Sequence, residues 1–229
     1  MLNDLPKKEK SIKNLYSAIV ISKRYLYQVT NIFIKNDKVV DSDKIYWIDP
    51  KLIKFHTDLK SITSPKIEDR VFNMHKYKGK ILDGDWDLST YKFTELDVYT
   101  AFNAVINNNV CWQDTGFYQD KLKTIENGGV LWGCHSKSDF DQRCKVLDAL
   151  IESIRKKGYL LNSKCYIEGE KKGAKGYFEE ITVNIGRDGR YLFQDGRHRL
   201  SIALLLGVKK IPIKVLVRHK QYKILHENL

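Results

Sequence analysis

The hydrophobic and polar positions of this chain change period several times, and each change predicts an element. Ile181, Val183 and Ile185 alternate with Thr182 and Asn184, the two-residue period of a half-buried strand. Arg187-Asp188-Gly189 follows with the residues of a hairpin turn, and Tyr191 to Gln194 returns as a second strand. Asp195-Gly196-Arg197-His198-Arg199 then opens an apolar stretch from Leu200 to Leu206, read as a helix packed into the body of the domain. Gly207 is expected to stop it, and Ile211 to Val217 to form a closing strand.

Earlier in the chain the period lengthens to that of helices. Thr94 with Asp97 has the spacing of a capping box before Val98, Phe102, Val105 and Ile106. Thr115 to Asn127 reads as a second helix, stopped by Gly128-Gly129. Ser138 with Asp141 is expected to open a third, in which Phe140, Cys144, Leu147, Ile151 and Ile154 recur at four- and three-residue steps. Arg155, Lys156 and Lys157 suit its C-terminal dipole and Gly158 its end. Asp41 to His56 reads as turn and strand. The expected class is therefore α+β: an N-terminal helix-and-strand extension over 1–40, then a mixed-sheet domain over 41–229 with a helical insertion over about 94–158. Ile12 to Ile34, with Lys23-Arg24 and three tyrosines, reads as a helix and strand docked on the body or as a helix on a membrane surface.

Chemistry concentrates at the turn before the last helix. A helix start offers backbone N–H groups with no acceptor inside the helix, and its dipole favours negative charge there. Asp195 is expected to cap this start, and Gly196 removes the side chain that would keep a ligand from the backbone. Arg197, His198 and Arg199 add three potentially cationic side chains, which makes the turn an anion-binding device. The plain alternative is a capped helix with solvated arginines and His198 packed beneath the strand. A second candidate is Asp83-Gly84-Asp85-Trp86-Asp87, whose alternating carboxylates can face one ion or one substrate; its plain alternative is a turn in which the aspartates bond to backbone. Clusters around Trp112 and around Trp132-Gly133-Cys134-His135 could line a pocket under the insertion.

Tyr191 to Arg199, Leu200 to Gly207 and Ile211 to Val217 together resemble the ParB/sulfiredoxin superfamily, in which a hairpin leads into a D-G-x-x-R type turn at a helix start and then a short Ile-Pro strand. Sulfiredoxins carry a nucleophilic Cys before the His-Arg of this turn. Arg197 stands in that place here. The Gly133-Cys134-His135 triplet lacks the following Arg and is read as a decoy. The small-molecule kinase branch is nearest in character, through its D-G-H-x-R turn. The resemblance implies a ParB/sulfiredoxin-like mixed sheet that binds a nucleotide (ATP, ADP or CTP) with Mg, as a phosphotransferase acting on a small-molecule or lipid-linked acceptor, or as a nucleotide hydrolase. Gly196, Arg197, His198, Arg199 and Ser201 are then the expected nucleotide-binding residues. Asp195, His198, Asp85 and Asp87 are the expected catalytic residues, with Asp195 and Asp85 as metal ligands. The expectation requires Asp85 or Asp87 to converge on Asp195 and Arg199.

Composition bounds these readings. With 229 residues, 42% hydrophobic and 30% charged, the chain has ordinary globular composition. No uncharged apolar run approaches the ~20 residues of a membrane span, and the polar start gives no signal peptide, so a cytoplasmic location is expected. Cys111, Cys134, Cys144 and Cys165 have no paired metal-ligand spacing. Basic side chains exceed acidic ones by nine over 151–229, while acidic exceed basic by five over 81–150. The basic half suits a polyanion. A nucleic-acid-binding protein or nuclease of the ParB-like type is the competing reading, disfavoured because only twelve residues follow Val217, too few for a helix-turn-helix.

Overall fold

The computed structural model describes residues 41–57, 77–162 and 179–222. The chain divides into two compact units, Met1–Val39 with Leu160–Glu180, and Val40–Tyr159 with Ile181–Leu229. In the described part of the first, the backbone N–H of Asn162 donates to the Glu180 carboxylate at 2.7 Å, and its side-chain amide donates to the Glu179 carbonyl. The expected N-terminal extension over 1–40, Cys165 and the lysines 171, 172 and 175 lie outside the described residues.

The second unit is built on a six-stranded mixed sheet, giving the α+β class. Its strands are β1 (Ile45–Ile48), β2 (Ile53–His56), β3 (Ile81–Leu82), β4 (Ile181–Ile185), β5 (Tyr191–Asp195) and β6 (Ile211–His219), in the order β1-β6-β4-β5-β2, with β3 also paired to β6. β4 and β5 form the expected antiparallel hairpin, while β2 lies parallel to β5 and β4 parallel to β6.

The two-residue period sorts side chains between the sheet's faces. Val183 pairs with Phe193 and Asn184 with Leu192, so neighbours along each strand point to opposite sides. One face carries Ile181, Val183, Ile185 and Phe193 into the main core, with Phe102, Phe140, Leu200 and Ile202. The other holds a smaller cluster of Trp86, Leu192, Leu216 and Val217. Asn184 is fully buried, and its amide nitrogen donates to Thr57 Oγ1 at 2.8 Å and Gln194 Oε1 at 3.0 Å.

Four α-helices are present among the described residues: α1 (Asp97–Asn108), α2 (Gly116–Glu126), α3 (Lys137–Lys157) and α4 (Arg197–Leu205). The first three fill the expected insertion, but two of their starts differ from expectation. Thr94 lies in a 3-10 turn, Phe93–Glu95, and α1 begins without a side-chain cap, so no capping box forms. α3 starts ahead of Ser138: Ser136 Oγ accepts the Asp139 N–H at 3.1 Å and Asp139 accepts the His135 N–H at 3.0 Å. This reciprocal pair satisfies two donors at once, which Ser138 and Asp141 do not. α2 does begin at Thr115, whose side chain accepts the Tyr118 N–H. α4 ends as expected at Gly207. Its φ of 65° lets the Gly207 N–H reach Leu204 O at 3.2 Å and the Val208 N–H reach Ala203 O at 2.9 Å. No helix among the described residues is long and apolar enough to cross a membrane.

Candidate anion site at the start of α4

The turn that opens α4 is formed by Gly196, not by a cap from Asp195. Asp195 ends β5, and its carboxylate accepts the N–H of Gly196 at 2.7 Å, one residue on. Gly196 occupies the N-cap position with φ 95°, where a Cβ would lie 3.0 Å from Ile181 Cγ1 and 3.1 Å from Ile181 Cα. Only glycine fits both the angle and the space. The first bond inside the helix runs from the Leu200 N–H to Gly196 O. The amides of Arg197 and His198 come before it and have no acceptor within the helix. No side chain caps the start and no acidic residue lies in its first turn.

Around these amides the insertion supplies an aromatic wall. Leu131 and Cys134 exchange backbone bonds of 3.3 and 2.9 Å across a tight turn, which holds Trp132 at φ 53°, a conformation that bulky residues seldom adopt. Trp132 stacks on Phe117 with centroids 5.7 Å apart and meets the His198 ring edge-on at 5.7 Å. The Arg197 guanidinium lies over its face at 5.9 Å. Trp132 thus lies against the basic turn. Trp112 is core instead: its indole N–H donates to Asp148 at 2.7 Å and its ring packs edge-on against Phe102.

His198 is not the cation expected from its position. Burial, reinforced by the charges of Arg197, Arg143 and Arg199, pushes its imidazole down to about 4, so the ring is neutral at pH 7. Its Nε2 is sealed from solvent and has no hydrogen-bond partner among the described residues. Ser201, one turn further along α4, is fully buried and its hydroxyl also has no partner among the described residues. A helical serine usually relieves this by bonding back to the carbonyl four residues earlier. Helical side chains lean toward the N-terminus, so Ser201 leans toward the open amides.

The acidic run is placed elsewhere. Asp87 is buried and accepts the Arg187 backbone N–H at 2.7 Å and its guanidinium at 2.8 to 3.1 Å. Burial works to raise the Asp87 carboxyl, and the Arg187 bonds overcome it and hold the group below the usual carboxylate range. Asp85 takes a further bond from Arg187 at 2.8 Å, Asp83 pairs with Lys220 at 3.2 Å, and Arg190 donates to the Asp87 carbonyl. Arg187 belongs to the β4–β5 turn, whereas Asp195 lies at the far end of β5. Four strand steps separate Tyr191 from Asp195, a span of about 13 Å. The two-part site of Asp85 or Asp87 with Asp195 and Arg199 is therefore not assembled, and the catalytic role expected of Asp85 and Asp87 has no geometry behind it. The same separation removes the Asp195–Asp85 metal pair. Among the described residues no group of three His, Cys, Asp or Glu side chains could hold a metal ion.

Among the described cysteines, Cys111 is exposed and Cys134 and Cys144 are buried. Cys134 is buried under the Trp132 turn, and burial pushes the Cys144 thiol up to about 12.

Arg143 was not among the expected residues. It lies on α3 between Phe140 and Leu147, both buried, and its Nε has no partner among the described residues. A charge at a helix position spaced three from Phe140 and four from Leu147 was the available signal.

No family model, curated protein or solved structure matches this chain.

Proposed function

We propose that this chain is a nucleotide-binding protein of the ParB/sulfiredoxin-like class that holds nucleotide phosphates on the α4 turn, and that it acts as a phosphotransferase or nucleotide hydrolase. The observation that carries the reading is the uncapped start of α4: open amides behind Gly196, on a helix whose His198 Nε2 and Ser201 Oγ are buried and unpartnered among the described residues. A phosphate oxygen satisfies such donors, and Arg197 adds a charge-assisted contact. The fully buried Ser201 hydroxyl otherwise costs about 1–3 kcal/mol unbonded.

In this reading the Gly196 to Arg199 segment and Ser201 position the phosphates, and neutral His198 bonds a phosphate oxygen rather than adding charge. Asp195 is exposed at the end of β5, and this reading gives its carboxylate the role of taking the proton of an acceptor hydroxyl, from a small molecule or a lipid-linked group. Magnesium accompanies nucleotides of this kind, but the described side chains do not converge on a metal, so no step is assigned to one.

The test is thermal unfolding with ATP, ADP, CTP or GTP, each with magnesium. A ligand bound only by the native state at a hundred times its Kd stabilises by about 2.7 kcal/mol. A shift with at least one nucleotide supports the reading. No shift with any, or a shift only with single-stranded nucleic acid, moves the site to the competing class.

A further inference from the structure

Two arginines, Arg197 on α4 and Arg143 on α3, form no ion pair among the described residues. Arg197 forms no hydrogen bond or ion pair among the described residues and rests on the Trp132 ring. Arg143 comes from α3, with its Nε buried and unbonded. The direction of that α3 face is fixed by aromatic contacts: Phe140, one turn before Arg143, lies 6.1 Å from the Trp132 ring, and Trp132 lies 5.7 Å from His198. The insertion therefore brings a guanidinium toward the turn from a second helix. Like charges gathered this way repel unless an anion lies between them.

One phosphate group fills a helix-start cradle, where the amides, the buried Ser201 hydroxyl and Arg197 can meet its oxygens. A planar guanidinium arriving from another element takes a separate pair of oxygens. A single phosphate at pH 7 carries about −1.5 to −2 charge, which the helix dipole and Arg197 already match. We propose that Arg143 holds a second phosphoryl group, so that the site takes a phosphoanhydride chain rather than a single phosphate. This rests on the reading of the α4 turn as a phosphate cradle. It gives the insertion a role in ligand choice: α3 selects the length of the phosphate chain and the α4 turn supplies its anchor.

Calorimetric titration of the full chain with inorganic orthophosphate and with pyrophosphate tests this, repeated for Arg143→Gln and Arg143→Lys. Wild type is expected to bind pyrophosphate at least about tenfold more tightly than orthophosphate. Arg143→Gln should erase most of that preference and leave orthophosphate binding within about twofold; Arg143→Lys, which keeps the charge without the fork, should fall between. Equal wild-type affinities, or a preference that survives in Arg143→Gln, overturn the role of Arg143 while the cradle stands. Binding of neither anion overturns the cradle and this proposal together. Circular dichroism confirms the fold of each variant, and if Arg143→Gln does not fold, the wild-type ratio and Arg143→Lys decide.

Discussion

The two ends of the β4–β5 hairpin carry arginines in opposite circumstances. At the turn, Arg187 is held by Asp87 and Asp85, and Arg190 by the Asp87 carbonyl and Asp188. At the far end, Arg197 and the incoming Arg143 form no ion pair among the described residues, and Asp195, two residues before Arg197, is bonded to its own following amide. The first arrangement uses cations to lock loop 83–87 to the hairpin. The second leaves positive charge, open amides and two orphaned polar atoms together, which costs stability and invites an anion. Identical residue types thus do structural work at one end and are available for binding at the other, and their partners make the difference.

The largest effect that would sharpen this contrast comes from the locked end. Asp87→Ala leaves Arg187 without its buried partner and should cost about 3 kcal/mol, read as a lower urea midpoint. Unchanged stability would mean that the latch contributes nothing.

Acid titration separates the ends by pH. His198 is neutral in the folded state, with its pKa down at about 4 against the ordinary 6.5. The unfolded chain binds that proton first, so stability falls as pH drops from about 6.5 towards 4, by about 3 kcal/mol in total. The Asp87 pKa is lowered too, which for a carboxylate favours the charged folded form, so its contribution is present above the usual carboxylate pKa and is lost only as pH falls through its lowered folded value. His198→Gln should flatten the upper window and leave the lower one. A pH profile unaltered by His198→Gln would show that the ring is solvated.

Removing charge at the open end should act on affinity. Arg197→Ala is expected to weaken nucleotide binding by about 1.5–3 kcal/mol in calorimetry. Without ligand it should leave stability unchanged or raise it by up to about 0.5 kcal/mol, because a repulsion is relieved. A loss of fold would place Arg197 with the locked arginines. The smallest stability effect is expected of Asp195→Asn, which keeps the shape and the bond from Gly196 N–H while removing the charge. Nucleotide binding should persist and turnover should collapse, and turnover that survives would remove Asp195 from the chemistry.

What could be read in the sequence was what is contiguous in it. The hairpin, the Gly196 turn, α4 and the Ile-Pro strand follow one another without interruption, so period and turn residues sufficed. The core stripe of α3 was legible for the same reason: Phe140, Cys144, Leu147, Ile151 and Ile154 are all buried. The role of Asp87 was not, because Arg187 lies 100 residues away and a carboxylate already matched by a distant guanidinium looks in sequence like one free to act. His198 looked cationic because burial by Phe102 and Trp132 depends on the insertion folding back over α4. Arg143 was hidden in plain sight, since a single cation beside an apolar stripe is easily taken for a solvated edge.

Amide hydrogen exchange with and without ADP tests most directly whether the open end is the binding end. ADP is expected to slow exchange in the segment 196–201 and in the Trp132 turn, and to leave residues 83–88 and the 186–190 turn as they were. Protection confined to 83–88, or binding without any change at 196–201, would contradict it.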